Sequence, residues 1–280
     1  MRSPFCIQAR AATAAALAAA AVSTTAAPVT SPPHPPGEAA VRVPQQPASV
    51  EGGVTAVVVK SWSGCGSGSV VWQTLNDHWK DFGKVPIHID YGNPALCAGP
   101  ITYEALEASG AQAVILSDSA GGAQAFSQDE IDALTRYAEA GHNLIGTFLV
   151  LRFRDVDNRR LAPLFGLDPD RAYVRQRGVS PVFHMRPHSP LFEGVGQEYH
   201  TAGYLESQML WHKKWTKAAV GEDVIEAHDL GHDAAILRYC GAAYRANLFT
   251  WMPEYGGGTQ DQQVLYNAIA QARTPGCKAE

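Results

Sequence analysis

A short apolar run at residues 113–116, the polar loop Ser117-Asp118-Ser119-Ala120-Gly121-Gly122, a helical pattern and a second apolar run at 143–147 follow one another without a break. This succession reads as strand, loop, helix, strand. The helix is marked at both ends. Ser127 precedes Glu130 at capping-box spacing, Ile131, Leu134 and Ala138 recur on one face, and Gly141 closes it. Two strands joined by such a crossover run parallel. The stretch 111–151 therefore forces the centre of an α/β sheet, and the rest of the chain has to supply its neighbours.

Upstream, residues 54–60 form a buried-strand pattern, because Val57-Val58-Val59 is too apolar for a strand with one wet face. The glycines of Ser61-Trp62-Ser63-Gly64-Cys65-Gly66-Ser67-Gly68 invite a phosphate-loop reading, yet no Lys-Ser/Thr pair follows them. Asp90, at roughly the distance of a dinucleotide-binding acid, adds little. A tight strand-to-helix turn is the better account, leading to a helix over about 69–82 with Val70, Val71, Leu75 and Trp79 inward. A strand at 87–90, a loop through Cys97 and a short helix at 102–109 complete the approach. Downstream, the pattern predicts a charged loop at 152–157, a helical turn at 160–165, an edge strand at 173–183, a loop at 184–189 and a single turn at 190–193. Strands follow at 224–227, 234–239 and 247–251, the last two a hairpin across Gly241, and a final helix at 260–272 turns Val264, Ile269 and Tyr266 or Leu265 to the sheet. The fold class is α/β: a flavodoxin-like three-layer sandwich with a mostly parallel central sheet and an antiparallel C-terminal hairpin, one domain over residues 53–276.

The N-terminus is different in kind. Residues 1–27 carry Arg2 and Arg10, no acid, and an alanine-rich run too short for a membrane span, with Thr24 and Ala26 suiting cleavage after Ala26. The expectation is a signal peptide and a secreted or periplasmic protein, with an organelle transit peptide as the alternative. Residues 28–52, rich in Pro and Ala, read as a disordered linker. Of five cysteines, loss of Cys6 leaves Cys65, Cys97, Cys240 and Cys277, an even number that fits an oxidising compartment. Three pairings are open. Cys65 with Cys97 is suggested by the neighbouring strands they follow, which leaves Cys240 with Cys277. A net charge of -5 and the lack of a basic run exclude a nucleic-acid footprint.

Some segments resemble a known family. Tyr137-Ala138-Glu139-Ala140-Gly141-His142-Asn143-Leu144-Ile145-Gly146-Thr147 is similar to the helix-Gly-strand lead into the nucleophile turn of class I glutamine amidotransferase-like domains, and Phe249-Thr250-Trp251-Met252-Pro253-Glu254-Tyr255 to the strand carrying their His-Pro-Glu. Arg160-Leu161-Ala162-Pro163-Leu164-Phe165-Gly166-Leu167 and His188-Ser189-Pro190-Leu191-Phe192-Glu193-Gly194 resemble the ThuA-like, trehalose-utilisation branch. The resemblance implies a triad of thiolate, histidine and carboxylate. It puts the nucleophile position on Phe148 and the histidine position on Met252, and only the carboxylate, Glu254, remains. Phenylalanine cannot attack a carbonyl and methionine cannot accept a proton at neutral pH, so glutaminase chemistry is not expected.

What the resemblance leaves is a pocket outside the carboxyl ends of the strands. Asp118 and Glu254 are the candidate catalytic carboxylates, and Ser117, Ser119, Gly121, Gly122, Phe148, His200, Tyr204 and Tyr255 the candidate ligand contacts. Gly121 and Gly122 can turn amides toward an oxygen, as in an oxyanion hole. Asp118 and Ser119 can equally bond their own loop, and Glu254 is either a leftover carboxylate bonded to its turn or an acid or base paired with Asp118. Trp62, Trp211 and Tyr255 are candidates to stack on sugar rings, whereas Trp251, inside a strand, belongs to the core. His184 and His188 are four apart, as are His228 and His232, the latter beside Asp229 and Asp233, but Pro187 and Gly231 make helix unfavourable, so no metal or cofactor is expected. The expected partner is a small molecule, a sugar by the resemblance, acted on or bound; a non-catalytic scaffold and a metal-assisted hydrolase are the alternatives.

Overall fold

Three consecutive valines fit a strand only if both its faces are covered, and this is how β1 (Val54–Val59) sits: every residue is buried. It has a parallel neighbour on each side, β2 (Ile87–Asp90) and β3 (Ala113–Ser117). In the computed structural model, which describes residues 51–61, 70–97, 99–120, 122–170, 174–177, 182–201, 206–209, 222–228, 234–254 and 258–277, β3 pairs in turn with β4 (Asn143–Thr147), again parallel. The expected signal peptide, nearly all of the expected linker and the glycine-rich turn at 62–69 lie outside the described residues.

The remaining strands are β5 (Arg152–Phe153), β6 (Val156–Asp157), β7 (Val174–Arg177), β8 (Val182–Met185), β9 (Tyr199–His200), β10 (Glu206–Met209), β11 (Glu222–His228), β12 (Ala234–Cys240) and β13 (Arg245–Phe249). A nine-stranded sheet has the order β2-β1-β3-β4-β13-β12-β11-β8-β9. The run from β2 to β13 is parallel, and from β13 outward each pairing is antiparallel. The expected hairpin is β12–β13, turning at Gly241.

Helices cover both faces. α1 (Val70–His78) and α5 (Thr259–Ala270) place Val71, Trp72, Leu75, Val264, Leu265, Tyr266 and Ile269 in one apolar layer with Ala56, Val58, Ile115 and Phe183. On the other face lie α2 (Pro94–Cys97), α3 (Tyr103–Ser109) and α4 (Gln128–Glu139) with the 3-10 helix Arg159–Phe165; Leu96, Leu106, Ile131, Leu134 and Phe165 pack there on Val57, Val59, Val114 and Leu116. Alternate residues of β1, β3 and β4 enter opposite layers, as the pleat requires. The architecture is the expected three-layer α/β sandwich. No helix among the described residues is long and apolar enough to cross a membrane.

The capping box at the start of α4 forms as its spacing implies, with Ser127 Oγ accepting from the Glu130 amide and the Glu130 carboxylate from the Ser127 amide. Cys240 and Cys277 are disulfide-bonded with Cα atoms 5.6 Å apart. Cys97 is also disulfide-bonded, while its expected partner Cys65 lies outside the described residues. Corrections concern the periphery. The α1 helix ends at His78, and Trp79–Asp81 tightens into a 3-10 turn. Residues 152–157 are a two-residue ladder between β5 and β6 and not loop alone. The single edge strand expected at 173–183 is two strands in different sheets, β7 pairing with β10 and β8 with β11 and β9, and β8 extends through His184 and Met185, expected as loop. Pairing partners far along the chain decide such short strands, and local pattern does not contain them.

Candidate functional site

Adjacent strands β1, β3 and β4 end in the same unusual way. Each hands over to a residue other than glycine in the left-handed region: Lys60 at φ 41°, Asp118 at φ 45° and Phe148 at φ 48°. Such backbone costs about 1–2 kcal/mol per residue and persists only where surrounding bonds over-determine it. They do so here. The Phe148 amide donates to the carbonyls of Phe249 (2.8 Å) and Trp251 (3.1 Å). The Asp118 amide donates to Thr147 O and Oγ1, both at 3.2 Å, its Oδ1 accepts from the Leu149 amide at 3.2 Å, and the Ala120 amide donates to Leu149 O at 3.0 Å. The loops after β3 and β4 are thereby laced together.

Beneath them lies Glu254. Ser117 Oγ, at the end of β3, donates to Glu254 Oε1 at 2.6 Å, and Thr147 Oγ1, at the end of β4, donates to the same oxygen. Burial pushes the Glu254 carboxyl above its ordinary range; the two hydroxyl donors pull it back only in part, and the negative charge of Asp261 pushes the same way as burial. Asp261 itself is bound by Tyr199 Oη and Thr201 Oγ1, each at 2.7 Å, and by the Gly258 amide at the start of α5.

The nucleophile and histidine positions implied by the resemblance are filled with apolar side chains. Phe148, Leu149 and Met252 form one buried apolar cluster, with Phe153 packed against it. Ser117, Asp118, Ser119, Phe148 and Glu254 are each at most 6% exposed. Ser119 Oγ makes no hydrogen bond among the described residues, and the Gly122 amide turns back to Asp118 O at 3.0 Å. His200 is exposed: its ring Nε2 is 3.0 Å from Glu198 Oε2, and its amide donates to Gln260 Oε1. Trp251 is buried against Phe183, Tyr199 and Phe249, as expected of a core residue. Gly121, Tyr204 and Tyr255, with Trp62, Trp211, Asp229, His232 and Asp233, lie outside the described residues.

Three participants carry no signal in the sequence. Thr147 looks like any strand residue. Asn158 braces the loop between β3 and α4, its Nδ2 donating to Gln124 O and Val150 O while its Oδ1 accepts from the Phe126 amide. Lys60, nearly buried, sits 2.7 Å from the Glu130 carboxylate, donates to Ala125 O at 2.6 Å and lies 5.0 Å from the Phe126 ring centre. Burial alone would raise Glu130, but hydrogen bonds from Lys60 and from the Ser127 and Ile101 amides outweigh it and hold the carboxyl below its ordinary value.

No family model matches the chain, and no curated protein matches it. Solved structures do. A cytoplasmic protein from Salmonella typhimurium LT2 is 14% identical with a TM-score of 0.50, over 78% of this chain and 96% of the other. A ThuA-like protein from Parabacteroides merdae is 12% identical with a TM-score of 0.50, over 79% and 90%. A GMP synthase subunit from Thermoplasma acidophilum is 13% identical with a TM-score of 0.48, over 78% and 94%. At these identities the likeness is one of fold, and that fold is shared with ThuA-like proteins.

Proposed function

We propose that this chain is an exported, catalytically silent domain of the glutamine amidotransferase-like superfamily, of its ThuA-like branch, and that it works by binding. In this reading residues 1–27 direct secretion or periplasmic export, residues 28–52 are a linker and residues 53–276 the functional domain. One observation carries it: the positions that would hold nucleophile and general base are Phe148 and Met252, packed with Leu149 into a closed apolar cluster above a buried Glu254. Hydrolysis through an acyl intermediate needs a nucleophile and a base within hydrogen-bond reach of each other, and a phenyl ring and a thioether supply neither. The Cys240–Cys277 disulfide is compatible with an oxidising compartment.

A second reading has its own support. A buried carboxyl raised above its ordinary range is what acid–base chemistry uses, so Glu254, with Asp118, could act on a carbohydrate-like small molecule. A thermal-shift screen of the exported protein against sugars, sugar acids, nucleotides and divalent ions, with a chelator control, separates the two. A ligand at about a hundredfold over its Kd stabilises by about 2.7 kcal/mol, or roughly 5–11 °C at about 2–4 °C per kcal/mol. The binding-only reading expects any ligand that shifts the melting temperature to be recovered chemically unchanged. Turnover of a sugar that gives such a shift, abolished in Glu254→Ala or Asp118→Ala, overturns it in favour of the acid–base reading.

A further inference from the structure

We infer that the outer edges of the nine-stranded sheet are closed by polar side chains of the covering helices, so that a second copy of this chain cannot join it by strand addition. An outermost strand presents a row of outward N–H and C=O groups, which is a ready template for another chain. The outermost strands here are β2 and β9. The register shows which groups of β2 point outward. The Val54 amide donates to Pro86 O at 2.8 Å, Thr55 is the partner of His88, and Val57 is the partner of Asp90. Thr55 turns its own amide and carbonyl the other way, to Gln112. Backbone groups of successive residues in a pleated strand face alternate neighbours. Residues 86, 88 and 90 therefore face β1, and 85, 87 and 89 face out.

Two of those three residues are already taken. Asn76, inside α1, lays its amide along the edge as a neighbouring strand would: the Ile89 amide donates to Asn76 Oδ1 at 2.7 Å, and Asn76 Nδ2 donates to Ile89 O at 2.9 Å. Tyr266 of α5 does the same with one hydroxyl, which accepts from the Val85 amide at 2.8 Å and donates to Val85 O at 2.9 Å. Ile87 is the one outward residue between them, and the groups of a single residue do not make a ladder. At the far end β9 is only two residues long, and its His200 amide donates to Gln260 Oε1, again from α5, at 2.6 Å. Gln260 is itself fixed, because its Nε2 donates to Val195 O at 2.7 Å and to Glu198 O at 3.0 Å. Asn76 and Tyr266 do not cap their own helices; each bonds both backbone groups of one residue at the sheet edge. The inference stands apart from the binding reading above but limits it, since a partner must then be met by side chains and not by extension of the sheet.

The test compares the wild-type full chain with Asn76→Ala, Tyr266→Phe and the double variant, by sedimentation velocity over a dilution series and by hydrogen exchange of the segment 84–91. The double variant is expected to gain a concentration-dependent self-association that the wild type lacks, and exchange in 84–91 is expected to slow as it associates. A folded double variant with the association state of the wild type, or a new association that leaves 84–91 as open as in the dilute protein, overturns the inference. Amide exchange of the wild type alone decides the matter if the double variant does not fold. At the lowest concentration the Val85 and Ile89 amides should already be protected, and Asn76→Ala should speed exchange at Ile89 by about tenfold. Wild-type amides at 85 and 89 that exchange as freely as those of an open edge, or that gain protection only at high concentration, overturn it.

Discussion

Glu254 offers the sharpest test of the buried polar centre, because its two simplest replacements should behave oppositely. Glu254→Ala takes away the acceptor used by Ser117 Oγ and Thr147 Oγ1, whose residues are 1% and 0% exposed. A buried donor left without its partner costs about 1–3 kcal/mol. With two such donors, and hydroxyls able to rotate toward other oxygens, the expected loss is about 3 kcal/mol, which for a domain of this size lowers Tm by roughly 6–12 °C. Glu254→Gln keeps an oxygen for both hydroxyls and loses only the ability to ionise. The sign of the pH effect follows from the raised folded-state pKa. The carboxyl's contribution is fully present below its unfolded pKa of about 4.3 and is lost as pH rises through the folded value, by at most about 1.4 kcal/mol per pH unit. Wild type should therefore lose stability relative to Glu254→Gln as pH rises from 4 to 8. Urea unfolding of the three proteins across that range measures this, and the difference between wild type and glutamine isolates Glu254 from every other titrating group. Parallel curves for wild type and Glu254→Gln, or an alanine variant within about 1 kcal/mol of wild type, would refute the argument.

Lys60→Met should cost about 3–5 kcal/mol at pH 7, because it strands the Glu130 carboxylate in the interior. Glu130 has a lowered folded pKa, so its stabilising contribution is present above about pH 4.3 and lost as pH falls through the folded value; urea melts at pH 7 and pH 3 should show the penalty shrinking in acid. Gly146→Ala would place a Cβ 2.8 Å from Phe165 Cζ and 2.9 Å from Leu248 Cδ1, an overpacking worth about 1–3 kcal/mol in a thermal melt. Replacing both Cys240 and Cys277 by Ala opens a loop with a sequence separation of 37 and should cost roughly 4 kcal/mol by chain entropy, read as a lower urea midpoint.

The parallel strands and their crossover helices were legible because each carries its own evidence. Val57-Val58-Val59 demands burial on both faces, and the Ser127–Glu130 box starts a helix wherever it occurs before an apolar stripe. The flanks were not. Whether residues 174–177 join the main sheet depends on what lies opposite, and their partner, residues 206–209, is about thirty positions away. The polar centre divides in the same way. Glu254, Phe148 and Met252 stand in motifs whose neighbours announce them, whereas Lys60 and Glu130 are seventy positions apart and become an ion pair only when β1 and α4 pack together.

Position 148 shows why fold and chemistry can part. A catalytic elbow is strained to expose its nucleophile, so a turn without a nucleophile has no chemical reason for such strain, and phenylalanine gains nothing from a left-handed φ. Phe148 nevertheless stays at φ 48°. Its amide is held by two carbonyls at the end of β13, and its ring is buried with Leu149 and Met252. Both anchors belong to the sheet and its apolar cap, and neither involves a reacting group. The turn is thus a consequence of how β4 ends beside β13, and it tolerates any side chain whose burial offsets about 1–2 kcal/mol of strain. Burying a phenylalanine side chain provides about 1.5–3 kcal/mol. A turn of this geometry can therefore stand without a triad, and a shared fold carries no warrant for a shared reaction.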